Sequence, residues 1–218
     1  VYDARDYLIS VRDGRGNISS NQYDQAGRLT GSADPLGHAN YFYYDQNGNL
    51  TTSVDSVSSV VQKTYDSLNR LVSITDAEGN TQSNEYDAAS RLISVTDPAG
   101  KITQSGYDAL GRKTSITRPD GEMEQFEYDA LGNLMTFENA KGNRWSFGFD
   151  GMSRKMAETN SLGNVVRFSY DNVGNLLSKT NANGTSITFS YDARNLLTNK
   201  QFSGENCVYR YDRNGNVT

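Results

Sequence analysis

Tyr107-Asp108-Ala109-Leu110-Gly111-Arg112 returns, with small changes, every 21 residues from one end of the chain to the other. Tyrosine opens ten copies, at Tyr2, Tyr23, Tyr44, Tyr65, Tyr86, Tyr107, Tyr128, Tyr170, Tyr191 and Tyr211. Phe149 stands in once, and only the last interval is 20 residues long. Aspartate follows without exception, as in Asp24, Asp45, Asp66, Asp87, Asp108, Asp129, Asp150, Asp171 and Asp192. A fixed period of this length marks a repeat architecture, in which one copy cannot bury its apolar side alone and neighbours must stack. The fold of the chain therefore follows from one copy.

Aligned, the copies read Y-D-x-x-G-[R/N]-L-x-x-x-x-D-x-x-G-N, with five variable residues before the next tyrosine. Two turn signals divide the unit. In the first, Gly27, Gly48, Gly111, Gly132, Gly174 and Gly215 stand three residues after an aspartate, with Asn69, Asn195, Ser90, Ser153 or Asp6 in that slot elsewhere. Asp opening a type I turn and a residue tolerant of positive φ closing it are the chemistry of a tight hairpin with a glycine bulge. The second signal lies ten residues on, as in Asp34-Pro35-Leu36-Gly37 and Asp97-Pro98-Ala99-Gly100. All three prolines, Pro35, Pro98 and Pro119, share its register, and fifteen of the 20 glycines occupy one turn slot or the other. Two strand-length segments of about six to eight residues remain per copy, which predicts an all-β chain of sequential antiparallel hairpins.

Strand composition agrees. Arg91-Leu92-Ile93-Ser94-Val95-Thr96 and Ser186-Ile187-Thr188-Phe189-Ser190-Tyr191 are rich in β-branched and aromatic residues. At period two, one face of the second strand carries Trp145, Phe147 and Phe149, then Val166, Phe168 and Tyr170, then Ile187, Phe189 and Tyr191, then Cys207, Tyr209 and Tyr211, which predicts an aromatic stripe. In the N-terminal half the same rows turn polar, as in Gln82, Asn84, Tyr86 and Thr103, Ser105, Tyr107. A two-layer sandwich would show one clean apolar face per sheet. The expectation is instead one long sheet, partly solvated on both faces, that curves or spirals because open sheets beyond about ten strands curl or split.

Three copies depart from the pattern. Asp55-Ser56-Val57-Ser58-Ser59 lacks the second-turn glycine and Ser203-Gly204-Glu205-Asn206 follows the loss of a residue, so wider or bulged turns are expected there. The first copy has Asp6-Tyr7 in place of Gly-Arg. The chain opens at a Tyr-Asp pair and closes just inside a copy, as a stretch of a longer array would. Unpaired edges near Val1 and Thr218 then predict edge-to-edge association or fraying, more at the C-terminal end.

Composition narrows the function classes. Hydrophobic residues make up 35% of the chain and mean hydropathy is -0.69. Such a chain is lean for a packed core, yet 14 tyrosines and 8 phenylalanines argue against disorder. A net charge of -5 with no basic run argues against nucleic acid as a partner. No apolar run approaches the roughly 18 to 20 residues of a membrane span, and no basic-then-apolar leader is visible. The repeat runs through residues 1–218 without a compositional break, so a single array is expected.

Candidate chemistry is sparse. The aligned aspartates invite a metal reading, but an Asp opening a turn accepts backbone N–H bonds, and turn capping is preferred to calcium. Arg28, Arg70, Arg91, Arg112 and Arg154, each four residues after an Asp, would interleave with that acidic edge as exposed pairs of about 0 to 1 kcal/mol. His38, the single histidine, has nothing to form a triad or zinc site with and is expected to be solvated. Cys207, the single cysteine, replaces an apolar residue and reads as a small buried hydrophobe. The tyrosines are expected to pack on Leu29, Leu50, Leu71, Leu92, Leu134, Leu176 and Leu197 of adjacent strands rather than form a glycan-binding face.

The unit Y-D-x-x-G-R-L-x-x-x-x-D-x-x-G-N, in eleven phased copies over essentially the whole chain, resembles the YD repeat of the Rhs family, which includes teneurins and the shell subunits of insecticidal toxin complexes. That resemblance implies antiparallel strands spiralling into a hollow β-shell, which in the bacterial toxins encloses a C-terminal toxic domain. The family's aspartate-dependent self-cleaving segment has no matching stretch here. The resulting expectation is a non-enzymatic segment of shell wall without cofactor or metal. Its partners would be the remainder of the same shell and an enclosed toxin or effector domain, and it would be secreted or cell-surface. A glycan- or protein-binding repeat surface is the alternative.

Overall fold

The computed structural model describes residues 1–218. The architecture is all-β, as the turn spacing predicts: twenty antiparallel strands and no helix. The chain divides into two compact units, Val1–Ser105 and Gly106–Thr218. The first holds β1 (Ser10–Arg12), β2 (Ile18–Tyr23), β3 (Leu29–Ala33), β4 (Ala39–Tyr44), β5 (Leu50–Val54), β6 (Val60–Tyr65), β7 (Leu71–Thr75), β8 (Thr81–Tyr86) and β9 (Leu92–Thr96), with β10 (Ile102–Tyr107) running across the division. The second holds β11 (Lys113–Thr117), β12 (Met123–Tyr128), β13 (Leu134–Glu138), β14 (Arg144–Phe149), β15 (Lys155–Thr159), β16 (Val165–Tyr170), β17 (Leu176–Thr180), β18 (Ser186–Tyr191), β19 (Leu197–Phe202) and β20 (Glu205–Val208).

Within each unit every strand pairs with its neighbours in sequence, and contacts between strands join only such neighbours. Neither unit has a second layer. No large apolar side chain is buried, and the buried positions are Gly31 and the polar Asn84, Ser94 and Thr136. Small residues recur at the centre of the first strand of each copy (Gly31, Thr52, Ser73, Ser94, Ser115, Thr136, Ala157, Ser178). A lean composition thus folds by pairing backbone rather than by filling a core.

Each hairpin ladder slips by one residue at the opening aromatic, as at Gln22/Tyr23, Tyr43/Tyr44, Glu127/Tyr128 and Gly148/Phe149. This is the bulge that an Asp-x-x-Gly turn with positive φ at its fourth residue imposes. The non-glycine residues in the slot adopt the same conformation, with φ of 61° at Asn69, 63° at Ser90 and 65° at Asp6.

The irregular copies correct the expectation of wider turns. Ser58 takes φ 66° and Asp55 closes an ordinary turn, its N–H donating to Ser59 O at 3.0 Å, because serine tolerates the left-handed region at modest cost. The tenth copy is tighter: Phe202 pairs directly with Glu205 across Ser203-Gly204, both at positive φ, a two-residue hairpin.

The expected aromatic stripe is also interrupted. Phe126, Phe137 and Trp145 stack at centroid distances of 5.3 and 5.4 Å. Beyond them Glu158 lies opposite Phe147, Lys179 opposite Phe168, and Lys200 opposite Phe189. An uncovered face tolerates these charges, and lysine stems lie along the rings, with Lys155 Nζ 5.1 Å from the Phe147 centroid. Cys207, expected to be buried, is exposed, because β20 is exposed along its whole length and no layer covers it.

Candidate functional site

The recurring residues converge on one edge of each unit, at the turns that follow each tyrosine. Asp66 shows the arrangement. Its Oδ1 accepts the backbone N–H groups of Leu68 (2.9 Å) and Arg70 (3.0 Å), and its Oδ2 accepts Arg70 Nε (2.7 Å). Its own N–H donates to Arg70 O, and Asn69 N–H donates to Asp66 O, each at 3.0 Å. The Arg70 backbone amide, joined by its guanidinium and by Leu68 N–H, holds the Asp66 carboxyl below the usual carboxylate range against a smaller opposing effect of desolvation. The carboxylate is thus committed to closing its turn.

Adjacent turns are then tied to one another. Arg70 Nη1 donates to Asp87 O (3.1 Å) and Ser90 Oγ (3.1 Å) of the next turn, and its guanidinium lies 4.7 Å from the Tyr86 ring centroid. Tyr86 OH reaches back to Leu71 O at 2.9 Å, beyond the point where the β7–β8 ladder ends. Arg28, Arg112 and Arg154 repeat the pattern, donating to Asp45 O, Asp129 O and Asp171 O and lying over Tyr44, Tyr128 and Tyr170. Tyr44, Tyr65, Tyr170 and Tyr191 place their hydroxyls on Leu29, Leu50, Lys155 and Leu176 carbonyls. Burial raises the Tyr191 phenol above its ordinary value, helped by the Asp171 charge. The tyrosine thus does more than pair with leucine: it replaces the ladder where adjacent hairpins part.

A second form of tie appears where asparagine takes the arginine position. Asn49, Asn133 and Asn175 donate from Nδ2 to their own aspartate and also to Asn69 Oδ1 (2.8 Å), Ser153 Oγ (3.1 Å) and Asn195 Oδ1 (2.9 Å). Those acceptors are non-glycine residues held at positive φ. Where the tie is Arg28, Arg112 or Arg154, the next slot is Gly48, Gly132 or Gly174, and the longer side chain reaches backbone instead. The sequence displays both columns, and the pairing of Asn with Asn or Ser is visible in it, but their coupling emerges only once the turns stand side by side. In the first and tenth copies Arg5 and Arg194 make the same reach from two residues after the Asp, to Asp24 O (3.0 Å) and Asp212 O (3.1 Å), while Tyr7 stacks on Tyr23 at 5.0 Å.

The opposite edge closes its turns alike but without ties from one turn to the next. Asp34 accepts Leu36 and His38 N–H groups, and His38 Nδ1 lies 2.7 Å from Asp34 Oδ2, so the lone histidine is exposed but partnered. Asn139 and Asn160 do the same from a carboxamide. No group of three or more His, Cys, Asp or Glu side chains converges anywhere. The constellation can bind turn to turn; it presents no base beside a nucleophile.

The RHS repeat model matches residues 44–81, 86–123 and 170–201, the stretches in which Tyr-Asp turns and their ties recur. The chain belongs to the RHS-repeat family. Among solved structures, the RHS-repeat chain is similar to a TcdB2-TccC3-Cdc42 crystal structure and to a TcdB2-TccC3 crystal structure, each at 16% identity and TM-score 0.49, covering 100% of this chain and 18% or 19% of theirs. A Photorhabdus luminescens Tc holotoxin pore matches at 16% identity and TM-score 0.48, again over 100% of this chain and 18% of that one. The RHS-repeat chain therefore spans less than a fifth of the length of these chains. None of the curated proteins compared matches it.

Proposed function

We propose that this RHS-repeat chain is structural wall, a non-catalytic stretch of β-shell whose complete protein encloses a toxin or effector domain. One observation carries the reading: the recurring residues are consumed in closing each turn and fastening it to the next, as Asp66, Arg70 and Tyr86 are. Enzymes place their recurring polar groups toward a substrate, whereas these point along the array. A single layer without a buried apolar core suits a partition between two spaces. The remainder of the same shell and the enclosed domain would be its partners, and an exported or cell-surface protein its setting. The alternative of the tyrosine column as a glycan-binding face is disfavoured by hydroxyls already bonded to backbone, as those of Tyr44, Tyr65, Tyr86, Tyr170 and Tyr191 are.

Protease accessibility of the complete gene product tests this. The intact protein should protect whatever domain accompanies the array, and replacing Arg70 and Arg112 by alanine should release that protection before the domain itself unfolds. An accompanying domain digested at the same rate with the array intact and with it loosened would overturn the proposal.

A further inference from the structure

Glycine follows asparagine at three turns, Asn47-Gly48, Asn183-Gly184 and Asn214-Gly215, and one of them is built differently. Asn47 and Asn214 lie at the edge of the Tyr-Asp turns. Asp45 Oδ1 and Asp212 Oδ1 accept their backbone N–H groups, each at 2.9 Å, and their side chains bond to nothing. Gly48 and Gly215 donate to Asp45 O and Asp212 O, carbonyls that Arg28 and Arg194 of the preceding turns also hold. Asn183 is exposed at the opposite edge, in the turn between β17 and β18. There the opening residue, Asn181, accepts no turn amide through its side chain. Asn183 Oδ1 itself accepts the N–H of Thr185, at 3.0 Å. Asn181 O holds the Gly184 N–H at 2.9 Å without a tie from another turn.

We infer that Asn183 is a site of spontaneous covalent modification, in which Gly184 N closes on the Asn183 side chain and the amide becomes aspartate or isoaspartate. A side-chain carbonyl that accepts the N–H two residues on is folded back over the intervening nitrogen, which brings Asn183 Cγ toward Gly184 N. Gly184 has no side chain to shield that nitrogen, and the space where one would stand is open. The Thr185 N–H polarises the carbonyl and stabilises the oxyanion that forms on Oδ1. As the bond from Gly184 N to Cγ forms, the Cγ–Nδ2 bond breaks, and ammonia leaves with the proton from Gly184 N. Water then opens the cyclic imide at either carbonyl, giving aspartate by one route and isoaspartate by the other. Either product adds a negative charge, and isoaspartate also lengthens the backbone of a turn whose closing bond is 2.9 Å. In an array whose stability is a sum of copies, that damage stays with the β17–β18 hairpin and its neighbours. Asp120-Gly121 repeats the geometry, with the Glu122 N–H on Asp120 Oδ1 at 3.0 Å, but an ionised carboxylate is a poor electrophile and the reaction there is slow. The inference is independent of what the array encloses.

The test is incubation of the folded chain at mildly alkaline pH, with the three Asn-Gly peptides followed by mass spectrometry and by labelling with an isoaspartate methyltransferase. Asn183 should convert about tenfold faster than Asn47 or Asn214, and in urea that unfolds the chain the three rates should converge. Thr185→Pro, which keeps Asn183-Gly184 and removes the N–H donor, should bring the Asn183 rate down to theirs with the circular dichroism spectrum unchanged. Should that substitution disturb the hairpin, the urea comparison still decides. Equal rates at the three sites of the folded chain, a lead for Asn47 or Asn214, or a lead for Asn183 that persists in urea would overturn the inference. So would a Thr185→Pro chain that keeps its spectrum and still converts at the parent rate.

Discussion

Asn69 pairs strain with a bond at the scale of single residues. Positive φ disfavours any residue but glycine, by about 1 kcal/mol for asparagine, and the hydrogen bond from Asn49 offsets it with a comparable amount. Asn69→Gly should therefore be nearly neutral in the parent chain and stabilising by about 1 kcal/mol when Asn49 is already alanine. A double-mutant cycle by chemical denaturation measures this coupling; additive effects would refute the tie. Tyr86→Phe removes only the hydroxyl donated to Leu71 O and should cost about 1 kcal/mol, whereas a tyrosine held by ring packing alone would lose nothing. The columns of Tyr, Asp and Gly were legible in the sequence because turn chemistry is local. The reach of Arg70 to Asp87 and Ser90 was not, because those partners are defined by which turn stands alongside.

Hairpins and their two edges explain a difference in acid response. Second-edge turns in the first unit are opened by carboxylates such as Asp13, Asp34 and Asp76, while Asn139 and Asn160 do the same work in the second. The side chains of Asn17, His38 and Asn80, then the turn amides, hold those three carboxyls below their ordinary value. A depressed folded pKa means the unfolded chain binds the proton more readily. The stabilisation is present above the unfolded value of about 3.9 and is lost as pH falls through the folded one. Amide exchange, corrected for its intrinsic pH dependence, should therefore accelerate at Leu36 and Asn80 between about pH 5 and about pH 2 more than at Leu162 and Asn164. Equal acceleration would contradict the assignment. At this scale the alternation of strand and turn was readable from composition. The breaks in the aromatic stripe at Glu158, Lys179 and Lys200 were not, because periodicity along one strand of a hairpin says nothing of the residue its cross-strand partner places on the same face.

For the whole molecule, the account is that cohesion in each unit comes from nearest-neighbour ties concentrated at the Tyr-Asp edge, with no core to organise the rest. Stability in such arrays is a sum of copies and interfaces, so a lesion acts on its own copy and the next. Arg112→Ala should loosen the turns at Asp108 and Asp129 while leaving the Asp171 turn as it was, read from exchange at Leu110, Leu131 and Val173. Residue-resolved hydrogen exchange over the entire unmodified chain is the most direct measurement of the central claim. Amides of the Tyr-Asp turns should be slower than those of the opposite edge in copy after copy of both units. Protection confined to a few central strands, with the two edges exchanging alike, would indicate a buried core and contradict it.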